Sequence, residues 1–164
     1  MIMKVNLSKA FDKVNWLYIR MLLTHLGFPY LFIKWIMSCI TNIPFSVLVN
    51  GSASPFFTSE RGLRQGCPLS PFLFLLVMEG LSHLIKEEHQ RGRLKVIKII
   101  EGCTLTHLLF VDDILVFING NIGDISIIKE NFTLFQVAIG MIINDSKSTL
   151  KTAECTLHKI FFSL

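Results

Sequence analysis

Hydrophobic and polar positions fall into short blocks whose periods differ along the chain. Met1–Val5 is an apolar opening that predicts a strand. Val14, Leu17, Ile19, Met21, Leu22 and Leu26 then recur at roughly helical spacing up to Gly27, a residue type that stops helices. Asp12, just upstream, is placed to cap that helix. Pro29 opens a second helix, Leu31 to about Cys39. Phe45–Val49 alternates toward Asn50-Gly51, a dipeptide suited to a two-residue hairpin turn, and Phe56–Thr58 is the expected return strand. A polar loop punctuated by glycine covers Ser59–Pro71. A long helix runs from there to about Glu88, with Phe72, Leu75, Leu76, Leu81 and Ile85 as its apolar face. Glu87–Arg93 is the most charged stretch and reads as an exposed turn.

Further on, Leu94–Ile100 is β-like, and Thr104–Phe110 and Ile114–Ile118 predict two strands flanking Val111-Asp112-Asp113. Ile122–Ile139 predicts a helix ended at Gly140; Met141–Ile143 is β-like, and Asn144-Asp145-Ser146-Lys147 turns. Residues 151–164 form a weakly patterned tail after a single unit, 1–150, with no internal repeat or linker. This order predicts an α+β fold: an antiparallel sheet with helices packed on one face.

Composition sharpens the picture. Of 164 residues, 51% are hydrophobic and only 17% charged, and mean hydropathy is +0.54. That is apolar for a solitary domain. The longest apolar run, Pro71–Met78, ends at Glu79, and Lys34 interrupts Leu31–Ile40, so neither reaches the ~20 residues of a membrane span. The N-terminus shows no signal peptide. The excess is therefore expected to be a core that packs against neighbouring parts. A net charge of +4 agrees with a polyanionic partner without demanding one. Cys39, Cys67, Cys103 and Cys155 are scattered, with no CxxC pair to hold zinc.

Two segments carry chemistry. Asp112-Asp113 sits between two apolar strands, where adjacent carboxylates repel and each wants solvation or a cation. Alone, the pair fits either a simple acidic turn or a divalent-metal site crowning a sheet. Arg61–Pro71 (RGLRQGCPLSP) combines glycines that admit a close ligand, two arginines suited to phosphates, and a helix N-terminus that favours anions. An ordinary loop and helix start is the alternative.

Taken together, NLSKAFDKVNW (Asn6–Trp16), GFP (Gly27–Pro29), VNG (Val49–Gly51), RGLRQGCPLSPFLF (Arg61–Phe74), FVDD (Phe110–Asp113) and INDSKS (Ile143–Ser148) occur in the order seen in reverse transcriptases of non-LTR, LINE-type retrotransposons. The flavour is similar to plant elements, and the resemblance runs from Lys4 to about Ser148. It implies a reverse-transcriptase palm with fingers and thumb largely absent. It also implies RNA-directed DNA polymerase activity, with an RNA template, a DNA primer, deoxynucleoside triphosphates and Mg2+. By the same resemblance Asp112 is a metal ligand and Asp113 its carboxylate neighbour. Phe11 screens the sugar 2′ position, Gln65 and Gly66 contact nucleotide and template, and Lys147 acts near the triphosphate. Arg61 and Arg64 remain the candidates for phosphate contacts. Where the family has its first metal-binding aspartate, this chain has Asn6. Asp12 matches a later aspartate that is not a ligand. An amide at position 6 implies a catalytically impaired copy; the alternative is a non-catalytic nucleic-acid-binding remnant or the relic product of a decayed element. The place of action stays open: with no signal peptide or membrane span expected, it is intracellular, nucleus or cytoplasm, and the resemblance by itself implies the nucleus. Palm faces left uncovered would expose apolar surface, so self-association is expected.

Overall fold

The computed structural model describes residues 1–100, 103–151 and 157–159. In chain order the elements are β1 (Ile2–Ser8), α1 (Ala10–Lys13), α2 (Trp16–His25), α3 (Tyr30–Ile40), β2 (Pro44–Phe45), β3 (Leu48–Val49), β4 (Ser52–Ala53) and β5 (Phe57–Thr58). There follow α4 (Leu69–Gln90), β6 (Ile97–Ile100), β7 (Cys103–Leu105), β8 (His107–Phe110), β9 (Asp113–Phe117), α5 (Ile122–Ile139), β10 (Ile142–Ile143), β11 (Thr149–Lys151) and β12 (Leu157–Lys159).

The main sheet is antiparallel, ordered β12-β11-β1-β9-β8, with β10 also paired to β1. β1 is its axis. The period-2 alternation of a strand sends Met3, Val5 and Leu7 to one face, where they are buried, and Lys4 and Asn6 to the other. Directly paired residues share a face, so Val116 and Ile114 join the buried side while Asp113, Leu115 and Phe117 join Lys4 and Asn6. Helices α4 and α5 cover the buried side with Leu73, Phe74, Val77, Leu81 and Ile85 and with Ile128, Phe132, Phe135 and Ile139. Each such side chain contributes roughly 1.5–3 kcal/mol on burial. The expected architecture, a sheet with helices on one face, is the one observed.

Several local expectations needed correction. Asp12 caps nothing: it lies inside α1, and Asn15 is the cap of α2, its side chain accepting from Leu17 N–H at 2.8 Å. The buried stripe of α4 is not the one expected, since Phe72 and Leu75 are 66% and 64% exposed. This helix is apolar on several sides, so periodicity alone could not orient it. It is long and apolar enough by length and composition to cross a membrane, yet much of it is core. Glu88, expected in an exposed turn, is buried. The segment Thr104–Phe110 is two strands: β7 pairs with β6, and β8 pairs with β9. The Asn50-Gly51 hairpin forms as two short nested ladders, β3–β4 and β2–β5. β12 pairs with β11, carrying the sheet into the segment expected as a tail, most of which lies outside the described residues.

Candidate active site

The open face of the sheet ends in a crest where β1, β8 and β9 meet. Asn6 is in register with Asp113, and Asp113 with Phe110, so the β8–β9 turn is only Val111-Asp112. Val111 makes that turn with φ 53°, a region a β-branched residue seldom enters. The crest therefore places Asp112 beyond the strand end and Asp113 beside Asn6.

The contacts there are specific. Asn6 Nδ2 donates to Asp112 Oδ2 at 3.2 Å and to Asp113 Oδ1 at 2.9 Å. Lys4 Nζ lies 2.9 Å from Asp113 Oδ2. The Lys4 hydrogen bond and then the Asn6 hydrogen bond hold the Asp113 carboxyl below its usual range, against the opposing effect of partial burial; the charge of Lys147 adds to the lowering. The backbone beneath is also tied. Leu7 N–H donates to Asp112 O at 2.8 Å, Asn144 N–H to Asn6 O at 2.8 Å, and Asn6 N–H to Ser148 Oγ at 3.2 Å.

Next to the crest the loop 61–68 straps across α1. Leu63 N–H donates to Phe11 O at 2.7 Å, Gly62 N–H to Val14 O at 2.8 Å, and Gln65 Nε2 to Asp12 Oδ1 at 3.1 Å. Ser70 Oγ donates to Arg64 O at 2.6 Å, fixing the loop to the first turn of α4. Phe11 stacks on Phe74 with ring centroids 4.6 Å apart. These ties frame a cavity of about 470 Å³ lined by Lys9, Phe11, Arg64, Gln65, Gly66 and Asp112 among others. A neighbouring cavity of about 460 Å³ takes Asp12, Phe45, Arg61, Arg64 and Gln65.

The sequence candidates thus sort into groups. Asn6, Asp112 and Asp113 converge. Phe11, Arg64, Gln65 and Gly66 share a cavity with Asp112. Of these two cavities Arg61 lines the second, and Lys147 is an exposed residue whose charge reaches Asp113. Lys4, Lys9 and Ser148 were missed. Lys4 had a signal: it lies two residues before Asn6 on the same strand, hence on the same face. Lys9 had none, because its place follows from a left-handed backbone, φ 50°.

As arranged, these side chains do not fit a pair of divalent cations. Among the described residues no third His, Cys, Asp or Glu joins the two carboxylates. One of the two is already ion-paired to Lys4, and Asn6 turns its N–H end, not an oxygen, toward both.

The antiparallel sheet with helices on one face, the acidic turn at its crest and the glycine-containing loop beside it agree with the palm fold expected from the sequence. The chain belongs to the family described as reverse transcriptase (RNA-dependent DNA polymerase), whose model matches residues 1–158. It is 29% identical over 147 residues to the Pol polyprotein of type-2 retrotransposable element R2DM of Drosophila melanogaster, covering 89% of this chain and 13% of that protein. Against the Pol polyprotein of type-1 retrotransposable element R2 of Popillia japonica it is 27% identical, covering 89% and 23%. An uncharacterized mitochondrial protein of Arabidopsis thaliana is 45% identical over 67 residues, 40% of this chain and 55% of that one. The chain thus spans between 13% and 55% of the lengths of these relatives. Among solved structures, telomerase from Candida albicans in complex with a fragment of telomeric RNA superposes with a TM-score of 0.70 at 13% identity, over 99% of this chain and 29% of that one. Telomerase from Candida tropicalis gives 0.68 at 14% identity, over 97% of this chain and 35% of that one.

Proposed function

We propose that this chain is the palm of an RNA-directed DNA polymerase that binds an RNA template, a DNA primer and a deoxynucleoside triphosphate, in a copy impaired in nucleotidyl transfer. The observation that carries the binding half is the shared cavity: Asp112 at the crest faces the same space as Phe11, Arg64, Gln65 and Gly66. A triphosphate there would meet the Arg64 guanidinium and the Lys9 ammonium, and a base or sugar would meet the Phe11 ring. Arg61 in the adjoining cavity suits the backbone of a template strand. The retrotransposable-element relatives and the RNA-bound telomerase support an RNA partner.

The impairment half rests on Asn6. The family generally uses divalent metals, with Mg2+ the expected ion, and this donor set is mismatched to them. This favours the non-catalytic nucleic-acid-binding reading over full activity. Exposed apolar side chains, among them Tyr30, Trp35, Phe56 and Phe110, support self-association of the isolated chain.

Two assays test the reading. Fluorescence anisotropy with a labelled RNA–DNA primer-template should show binding that weakens with salt, and more weakly still in Arg64→Ala. Primer extension with Mg2+ on poly(rA)·oligo(dT) should be silent for the chain as it stands. Synthesis that disappears in Asp112→Ala would overturn the impairment. Absence of any primer-template binding by folded protein would overturn the function.

A further inference from the structure

We propose that Asn6 and Lys4 together stand in for a cation at the acidic pair, so that the fold holds Asp112 and Asp113 together in a metal-independent clamp. The inference deepens the reading of the same site, yet rests on the hydrogen-bond geometry and holds whether or not the chain polymerises.

Two carboxylates brought together at a sheet crest need compensation, from a cation or from donors. An amide has two N–H bonds, and here one Nδ2 reaches an oxygen of each carboxylate, at 3.2 and 2.9 Å. A donor bridging two carboxylates occupies the place a bridging cation would take. Lys4 then takes the second oxygen of Asp113 at 2.9 Å and supplies positive charge. Both Asp113 oxygens are thereby engaged, leaving Asp112 Oδ1 as the one carboxylate oxygen at the crest to which these two residues donate nothing.

The clamp is built to stay shut. Asn6 is only 7% exposed, and its backbone is bonded to Asn144 and Ser148 on the strand edge opposite β9. Admitting a dication would break both amide hydrogen bonds and turn the amide oxygen inward, with the Lys4 ammonium as a repelling neighbour. The converse follows for a carboxylate at position 6. Asn6→Asp removes the two bridging donors and gathers three acceptors around one ammonium, which destabilises the metal-free fold. The same change creates a divalent-cation site that can restore it.

The experiment is thermal unfolding of the chain as it stands, of Asn6→Asp and of Asn6→Asp/Asp112→Ala, each in EDTA and in millimolar Mn2+. Mn2+ binding is read in parallel by electron paramagnetic resonance. The native chain should unfold at the same temperature with and without Mn2+ and bind none at the crest. Asn6→Asp should melt lower in EDTA, by roughly 3 °C or more, recover in Mn2+, and bind Mn2+ at a site that disappears in the double variant. If Asn6→Asp folds only when Mn2+ is present, that supports the clamp equally. Binding of Mn2+ by the native chain as tight as by Asn6→Asp, or equal stability of the two in EDTA, would overturn it. An Asn6→Asp protein that binds Mn2+ and primer-template yet extends no primer would count against the polymerase reading while leaving the clamp intact.

Discussion

Trp16 and Gly62 are joined by one short hydrogen bond: the indole Nε1 donates to the Gly62 carbonyl at 2.6 Å. This bond closes the loop 61–68 onto the start of α2, and the backbone bond from Gly62 N–H to Val14 O reinforces it. Gly62 has φ 93°, and a Cβ there would meet the Asp12 carbonyl oxygen at 2.5 Å. Backbone cannot yield as a side-chain tip can. Gly62→Ala is therefore expected to destabilise by about 3 kcal/mol, the sum of a left-handed penalty and the clash. Trp16→Phe, which removes the bond together with part of a ring packed against the core, should cost about 1.5 kcal/mol. Urea denaturation measures both, and equal effects would contradict the assignment.

His107 gives the stability a pH dependence. It faces α4, with Nε2 2.9 Å from Ser82 Oγ and Nδ1 2.8 Å from Thr106 Oγ1. Burial lowers its pKa, the charge of Lys86 lowers it further, and Glu79 opposes them. Its folded pKa thus lies below the unfolded value near 6.5. Between those two values the unfolded chain binds the proton and the folded one does not, so stability falls as pH drops from about 6.5. Above that pH the contribution is fully present. Denaturation curves at pH 7.5, 6.5 and 5.5 (about these values) should show the loss, and His107→Gln should flatten it.

Much of this was legible in the sequence as short apolar runs between breakers. β1 and β9 read as strands because each is a short apolar run, and α3 and α5 as helices because apolar stretches of helical length are opened by Pro29 in one case and ended by Gly140 in the other. The crest was legible because acidic residues between two apolar runs have few places to go. What stayed hidden was whatever depends on a partner distant in sequence. Asn6 and Asp113 are 107 residues apart, and nothing local tells whether the amide presents its oxygen or its N–H. The register across β1 and β9 decides it, because two carboxylates accept and only an amide N–H can donate to both. The stripe of α4 was misread for a different reason: with Phe72 and Leu75 also apolar, several faces look equally fit for the core.

The turn at the crest stores backbone strain that a substitution can release. Val111 has φ 53° and is 52% exposed, so its side chain gains little from packing and meets steric crowding that Asn or Gly tolerates better. Val111→Asn should stabilise the chain by about 1 kcal/mol. The check is the midpoint of urea unfolding, and a midpoint that falls would show that the valine packs against something that compensates. Val111 lines the cavity beside Asp112, so the same variant also reshapes the space proposed to take the triphosphate.

Glu88 and Arg93 separate a buried ion pair from a surface one within a single turn. Glu88 is 6% exposed, and its Oε1 lies 2.5 Å from Arg93 Nη2 and 3.7 Å from Arg91 Nη1. Its neighbour Glu87 pairs with Arg91 at 2.6 Å, with both side chains about half exposed. Removing one member of a buried pair leaves a charge that has lost both water and partner, whereas removing a surface partner leaves a solvated one. Arg93 itself is half exposed and Arg91 remains nearby, so the cost of Arg93→Ala is discounted to about 2 kcal/mol. Glu87→Ala should stay within about 0.5 kcal/mol. In a double-mutant cycle, Glu88→Gln should recover most of the Arg93→Ala loss, because the buried group is then neutral. If Arg93→Ala costs no more than Glu87→Ala, the carboxylate at position 88 is solvated and the end of α4 is looser than its contacts describe.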